Sequence, residues 1–180
     1  VTAAGTAQKD TAQSKYGGSS ILLDGNSDYL SAGDHADWDF GAGDFTVEMF
    51  VRFASVTGQQ TFLSLHGGTL GDREIYWTKQ ADGKMFCFYY YASGSSDTAL
   101  DQAWGPSVDT WYHIAMCRNG ANLRFFVDGT QLGSTHDIAS RDLQDSGYAL
   151  QIGSLFNTSG AQASYFNWWV DEIRISKGTA

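Results

Sequence analysis

The chain has little positive charge, since 11 Lys and Arg residues stand against 20 Asp and Glu residues and the formal net charge is −9. Such a chain lacks the basic patch that releases counterions from a phosphate backbone, so we expect no nucleic-acid partner. It also lacks any run of about 18 apolar residues, the length that a membrane-spanning helix requires, so we expect no membrane insertion. An acidic surface remains compatible with cations, with neutral glycans or simply with solubility.

Cysteine is scarce as well, and Cys87 and Cys117 both lie inside apolar runs. A disulfide would require neighbouring strands with Cα atoms within about 7 Å, whereas free thiols would pack as small hydrophobic side chains. The sequence leaves both alternatives open. No C-x-x-C pair and no Cys/His spacing typical of zinc occurs. Phosphate loops, dinucleotide fingerprints and the Gly-x-Ser-x-Gly motif of hydrolases are also absent.

Glycine and aromatic residues are abundant, with 21 Gly residues and 14% Phe, Trp and Tyr. This composition suits many short strands joined by turns. Residues 45–53 alternate so that the apolar side chains at odd positions share one face, which predicts a half-buried strand. The Asp-Gly at 82–83 and the Asn-Gly at 119–120 separate apolar runs and predict tight hairpins. About a dozen such strands without helical periodicity predict an all-β fold, an antiparallel two-sheet β-sandwich in one domain spanning 1–180.

Four segments carry a family pattern in order along nearly the whole chain. They are residues 15–30, which include Leu-Asp-Gly-Asn-Ser-Asp-Tyr-Leu, then 43–53, 110–129 and 170–177, the last reading Val-Asp-Glu-Ile-Arg-Ile-Ser-Lys. Together they resemble the laminin-G-like, pentraxin-like branch of the concanavalin A-like lectin/glucanase superfamily, as it occurs in phage and bacterial surface proteins. The resemblance implies a jelly roll. Related chains usually continue past this point, so we also expect a fragment of a longer chain.

The resemblance implies a binding or structural module. The leading hypothesis is a non-catalytic carbohydrate or cell-surface binding module, extracellular or on a virion surface. Its partners would be a glycan or cell-surface polysaccharide and other virion or surface proteins. The alternative is a structural module that decorates a capsid or tail through protein–protein contacts and binds no sugar.

No catalytic residues are predicted, because the carboxylate pair of retaining glycosidases is not evident. Such enzymes place two carboxyl groups about 5–5.5 Å apart. The adjacent Asp171 and Glu172 would instead point to opposite faces of a strand. An atypical hydrolase or lyase is the third possibility, and fold alone does not confer such an activity.

The acidic turn at 24–28 is the candidate metal site. Asp24, Asn26 and Asp28 supply oxygen atoms at alternate positions, and Asp171 could join them if the first and last strands pair. Calcium takes about six to eight oxygen ligands, and the resemblance implies a structural calcium ion. The alternative is a turn whose side chains accept hydrogen bonds from the local backbone. Both interpretations remain open.

Aromatic side chains are the candidate ligand site, since sugars present apolar C–H faces to aromatic rings and hydroxyl groups to Asp, Asn and Gln. Trp104 lies in a predicted loop and is the leading candidate. Two adjacent Trp residues in 167–170 point to opposite faces, so one belongs to the core and the other to a ligand platform or interface. Most other aromatic residues belong to the core. The predicted ligand-binding residues are Trp77, Tyr90, Asp101, Trp104, Asn167 and Trp168.

Overall fold

Two antiparallel sheets packed face to face make up the protein in a computed structural model that describes residues 1–67, 73–91, 95–139, 141–157 and 159–180. The strands in chain order are β1 (Thr2–Ala4), β2 (Gln8–Asp10), β3 (Ser20–Asp24), β4 (Tyr29–Ala32), β5 (Phe45–Phe53), β6 (Gln60–His66), β7 (Arg73–Lys79), β8 (Lys84–Tyr91), β9 (Ser95–Ala103), β10 (Trp111–Asn119), β11 (Asn122–Val127), β12 (Thr130–Asp137), β13 (Leu150–Ile152), β14 (Leu155–Phe156), β15 (Gln162–Ala163) and β16 (Asn167–Lys177).

Each large sheet has seven strands. Sheet A has the order β1-β4-β13-β6-β7-β8-β9, and sheet B has the order β12-β11-β10-β5-β16-β3-β2. Within the described ranges, the short strands β14 and β15 pair only with each other. This architecture confirms the predicted antiparallel sandwich. The described residues contain no helix that could cross a membrane.

Alternation in β5 builds the core as the sequence predicts. The side chains at its odd positions, from Phe45 to Phe53, are fully buried, and those between them are half-buried. Each buried side chain of this size contributes about 1.5–3 kcal/mol relative to an exposed one. The two sheets meet in the core, where the ring centroids of Trp77 and Phe125 lie 6.0 Å apart.

Glycines close the two predicted hairpins. Gly83 lies between β7 and β8 with φ of 83°, and Gly120 lies between β10 and β11 with φ of 58°. Such positive φ angles cost glycine little, which explains why these two turns were readable in the sequence.

The cysteines are both free. Cys87 is buried in β8 of sheet A, and its Sγ atom lies 3.8 Å from Sδ of Met116 in β10 of sheet B. Cys117 follows Met116 in the same strand, so its side chain points to the other face, away from Cys87. Of the two alternatives that the sequence leaves open, a disulfide or two free thiols, the structure therefore shows the free thiols.

The last strand, β16, lies between β3 and β5 in sheet B. It pairs with β5 from Trp168 to Lys177, whereas it pairs with β3 only from Asn167 to Val170. The β5 ladder is interrupted between Asp171 and Arg174 by a register shift. Within this bulge Glu172 has φ of 48°, an uncommon value for a residue other than glycine.

Candidate functional site

The outer face of sheet A carries a group of aromatic side chains. Alternation in β7 and β8 buries Trp77 and Tyr89 completely and leaves Tyr76, Phe86 and Phe88 half-buried on the other face. Tyr76 lies opposite Phe88, and their stacked rings have centroids 5.7 Å apart. The rings of Phe86 and Phe88 stack at 6.2 Å along the same strand. We call Tyr76, Phe86 and Phe88, together with the buried Tyr90 at their edge, the aromatic platform; Tyr90 is only 6% exposed and packs edge-on against Phe88 at 5.3 Å.

Two buried polar side chains flank this platform. His66, at the end of β6, is 5% exposed, and Arg73, at the start of β7, is 8% exposed. The His66 ring packs edge-on against Tyr76 at 5.3 Å, and Arg73 Nη1 donates a hydrogen bond of 2.9 Å to the Tyr90 hydroxyl. Neither His66 Nδ1 nor Arg73 Nε has a hydrogen-bond partner among the described residues. A buried polar group left unpaired costs about 1–3 kcal/mol. Each of these two atoms has less than 1 Å² of accessible surface, so a ligand could bond to it only after neighbouring side chains move.

The protonation states of these groups follow from burial. Burial, with the Arg73 charge adding to it, lowers the pKa of His66 to about 4. Its imidazole is therefore neutral at pH 7 and offers one hydrogen-bond donor and one acceptor. Burial raises the pKa of Tyr76 to about 12, so its phenol stays protonated. At neutral pH the site thus combines one guanidinium cation with neutral groups suited to hydroxyl-rich molecules.

A row of polar residues continues from the platform across sheet A, but its side chains are already engaged. Ser64 lies opposite Tyr76, and Gln151 lies opposite Ser64. Ser64 Oγ donates to the Ser154 carbonyl at 2.8 Å, and Ser154 Oγ donates to Gln151 Oε1 at 3.2 Å. The segment around Ser154 therefore covers this half of the face and bounds the platform on one side.

On the opposite side, an exposed ion pair bounds the platform. Asp101 in β9 lies directly opposite Phe86 and forms an ion pair of 3.0 Å with Lys84. Such exposed pairs contribute about 0–1 kcal/mol, so these side chains can reorient toward a ligand at little cost. Of the predicted ligand residues, Tyr90 and Asp101 lie on this face, but at opposite ends of the platform, because Asp101 pairs with Phe86, four positions from Tyr90 along β8.

Trp104 corrects an expectation from the sequence. It follows β9 directly, outside the strands, but its side chain is only 9% exposed, so it cannot serve as an exposed stacking surface. Its ring packs edge-on against Tyr112 at 5.5 Å and against Phe53 at 5.7 Å. The backbone N of Trp104 donates to the Gly83 carbonyl at 3.0 Å, which draws this segment onto the β7–β8 turn and lets the indole close the core.

The adjacent Trp168 and Trp169 do point to opposite faces. The predicted ligand residue Trp168 is the core member, fully buried and stacked on Phe53 at 4.2 Å. Trp169 faces outward, where its ring lies 4.9 Å from the Arg52 guanidinium and its Nε1 donates to Asp10 at 2.5 Å. Alternation predicts that the two rings separate, but it does not show which one faces the core.

Two further predicted residues lie away from the platform. Trp77 is fully buried between the sheets, so it is a core residue. Asn167 opens β16 in sheet B, and its backbone N donates to Oε1 of Gln60, the first residue of β6 in sheet A, at 3.2 Å. Neither side chain joins the aromatic platform.

The acidic turn has the geometry of a backbone-bonded turn. Asp24 Oδ1 accepts hydrogen bonds from the backbone N of Asn26 at 2.8 Å and of Ser27 at 3.0 Å. These bonds, chiefly the one from Ser27, hold the pKa of Asp24 below its ordinary value. Asp28 is 1% exposed and accepts from the backbone N of Thr6 at 2.5 Å and of Asp24 at 3.0 Å.

Asp171 lies apart from this turn although the first and last strands pair. Asn167 is the residue opposite Asp24, and Asp171 lies four positions further, about 13 Å along the strand. Its Oδ2 accepts from the backbone N of Lys15 at 2.8 Å and of Tyr16 at 3.0 Å. No group of three or more His, Cys, Asp or Glu suited to a metal ion occurs among the described residues. The four predicted ligands thus do not fit one calcium ion, and calcium binding itself stays a prediction.

Sequence reasoning missed most of the platform. Alternation in residues 84–91 carries the signal that Phe86, Phe88 and Tyr90 share a face. No sequence pattern places His66 beside Arg73, because their pairing follows an irregularity in the β6–β7 ladder.

Comparisons with known proteins place this site in context. A family model described as the Concanavalin A-like lectin/glucanases superfamily matches residues 24–179. No curated protein sequence matches the chain. Among solved structures, the chain is similar to domain 4 of AbnA, a GH43 extracellular arabinanase from Geobacillus stearothermophilus, in complex with arabinotriose. The identity is 17% and the TM-score 0.70, over 97% of this chain and 76% of that chain.

Two other solved structures share the fold. The CBM40 of the Ruminococcus gnavus IT-sialidase, also solved bound to alpha2,3 sialyllactose, is 14% identical with a TM-score of 0.62, over 82% of this chain and 88% of that chain. Domains LG4-5 of the mouse laminin alpha1 chain are 15% identical with a TM-score of 0.59, over 94% of this chain and 41% of that chain. At these identities, the likeness shows the fold alone.

Proposed function

Because the chain belongs to the concanavalin A-like lectin/glucanases superfamily, we propose that it is a non-catalytic carbohydrate-binding module whose ligand lies on the aromatic platform of sheet A. The observation that carries the proposal is the pairing of four aromatic rings with two buried polar atoms, His66 Nδ1 and Arg73 Nε, that have no partner among the described residues. The oligosaccharides bound by two proteins of the same fold, arabinotriose and sialyllactose, support it.

The chemistry of the platform suits a short oligosaccharide. The apolar C–H face of a sugar ring would stack on Phe88 and Phe86, where it removes apolar surface from water. Arg73 Nε would donate to a hydroxyl, ring or carboxylate oxygen, and His66 Nδ1 would exchange a hydrogen bond with a hydroxyl group. These bonds would fix the orientation of the sugar, because both polar side chains are themselves held by packing.

A glycan array, probed with and without calcium, tests this function. The variant Phe88→Ala removes the centre of the platform, and we expect it to weaken binding to array hits about tenfold, which corresponds to about 1.4 kcal/mol. Phe50→Ala is the matched control, because Phe50 is a half-buried residue on the outer face of sheet B. An array without hits, or equal losses in the two variants, would contradict the proposal.

An extracellular location fits a module that meets polysaccharides, and the likeness to a domain of an extracellular arabinanase supports it. The finer proposals are that the module belongs to a surface or phage particle protein and that calcium stabilises the turn at 24–28. Purification of the parent protein from a secreted fraction or from virions would test the location. Retention in the cytoplasm would contradict it.

A further inference from the structure

Half of the last strand has an unpaired edge. Among the described residues, β16 pairs from 171 to 177 only with β5, because its ladder with β3 ends at Val170. Outside the strand ladders, no backbone–backbone hydrogen bond of the described residues involves 171–177. The Glu172 N–H donates to Asp171 Oδ1 at 2.9 Å, whereas from 173 to 177 alternate N–H and C=O groups point to a side where no described strand lies. Such an edge is a template for a further strand.

An apolar crevice of about 540 Å³ lies beside this edge, between the two sheets. Ile173 and Ile175 point toward the core side of sheet B but are only half-buried, because no strand flanks them there. Sheet A contributes the facing wall, and its aliphatic lining residues are Leu30, Ala32, Leu150 and Ile152. A smaller concavity of about 290 Å³ continues along the gap where β3 leaves β16, beside Ser20 and Val170.

Opposite charges mark the two ends of the edge. Glu172 is exposed, and it forms no ion pair with any described residue. At the other end, Lys177 Nζ donates to the Ala36 carbonyl at 2.7 Å, and within the described ranges it likewise has no ion pair. The edge thus favours an occupant that carries a cationic side chain near Glu172 and a carboxylate near Lys177.

We propose that this edge binds an extended peptide segment of a partner protein, which adds a strand to sheet B beside β16. About six residues would span the edge, since a strand rises about 3.3 Å per residue. Two aliphatic side chains at alternate positions would fill the crevice, while main-chain hydrogen bonds would supply affinity. An apolar small molecule fits the observations less well, because it would leave the outward backbone groups of 173–177 without a protein partner. The edge lies in the other sheet from the aromatic platform.

Two synthetic peptides test the proposal, because the orientation of the added strand is open. They are capped Lys-Thr-Val-Thr-Val-Asp and its reverse, each compared with a version that is N-methylated at alternate amides. We expect one parent peptide to slow hydrogen exchange of alternate amides within 171–177 about tenfold, and its N-methylated version to have no effect. Unchanged exchange at about 1 mM of both peptides would overturn the proposal.

Variants of β16 test whether the peptide binds specifically in the crevice beside this strand. We expect Ile175→Asp to weaken binding of the peptide about tenfold, because it places a charge in the crevice. Ser176→Asp, one position along on the other face, should retain binding. If Ile175→Asp fails to fold, Ile173→Thr removes apolar area with a smaller change and should weaken binding about threefold. Equal binding of the N-methylated peptide would show that main-chain hydrogen bonds are not needed and that the crevice takes an apolar ligand. Protection of 171–177 that rises with protein concentration alone would show that a second copy of the chain occupies the edge. Either result would overturn the proposal.

Discussion

The carboxyl group of Glu74 is buried, and we expect it to make the stability of the folded protein depend strongly on pH. Glu74 follows Arg73 in β7 and is 1% exposed. Burial raises the pKa of its carboxyl to about 9; a hydrogen bond from the Phe40 backbone opposes this shift, and the charges of Asp39 and Asp145 add to it. The side chain is therefore protonated and neutral at pH 7 in the folded protein, so it cannot neutralise the guanidinium of Arg73.

The size of the effect follows from proton linkage. In the unfolded chain Glu74 loses its proton near the ordinary value of 4.5, whereas the folded protein keeps it up to about 9. The stability present below pH 4.5 is thus lost progressively as the pH rises toward 9, at about 1.4 kcal/mol per pH unit. Between about pH 5 and pH 7.5 the loss is about 3 kcal/mol, a large part of the usual 5–15 kcal/mol stability of a folded domain.

The substitution Glu74→Gln keeps the shape of the side chain and removes its titration. We expect the variant to gain about 3 kcal/mol relative to wild type between about pH 5 and pH 7.5, equivalent to about 6–12 °C in Tm. Urea unfolding at several pH values measures this directly, and the exposed Glu172→Gln serves as the control. Parallel pH profiles for wild type and Glu74→Gln would refute the reasoning, because they would show that Glu74 is ionised in the folded protein.

Three further predictions follow from the site. Because the imidazole of His66 is neutral above its pKa of about 4, glycan affinity should stay constant between about pH 8 and pH 5.5; an inflection near the ordinary value of 6.5 would contradict this. Trp104→Ala should cost about 3–5 kcal/mol in unfolding free energy, yet the folded fraction should bind glycan normally, and a loss of affinity alone would restore its predicted ligand role. If calcium stabilises the turn at 24–28, as proposed, calcium added to chelated protein should raise Tm; an unchanged Tm would contradict this and would show that backbone hydrogen bonds alone satisfy Asp24.

The fold could be predicted because its signals are local. Alternation in residues 45–53 and the glycines at 83 and 120 each specify a strand or turn without reference to distant parts of the chain. Their order along the chain then identified the family. Strands are visible as alternation of apolar and polar residues, because successive side chains of a strand point to opposite faces. Turns are visible as glycines, because glycine adopts positive φ at little cost.

The site could be predicted only in part, because it depends on contacts between distant residues. Tyr90 and Asp101 lie on the outer face of sheet A, and their ligand role stays a prediction. Trp168 was misplaced because alternation does not tell which face meets the other sheet, and Trp104 because a position outside the strands does not tell whether a ring packs into the core. The irregular pairing that sets His66 beside Arg73 leaves no trace in the sequence. Asp171 likewise lies away from the acidic turn because the β3–β16 register places Asn167 opposite Asp24.

The most direct test of the account is to locate a bound glycan on the protein by NMR titration with the strongest array hit. We expect amide and aromatic shifts to change around the platform, in β6 at His66, in β7 at Arg73 and Tyr76, and in β8 at Phe88. The turn at 24–28 should remain unperturbed. Changes centred on that turn or on the open edge of β16, with the platform unaffected, would contradict the central claim that sheet A holds the carbohydrate.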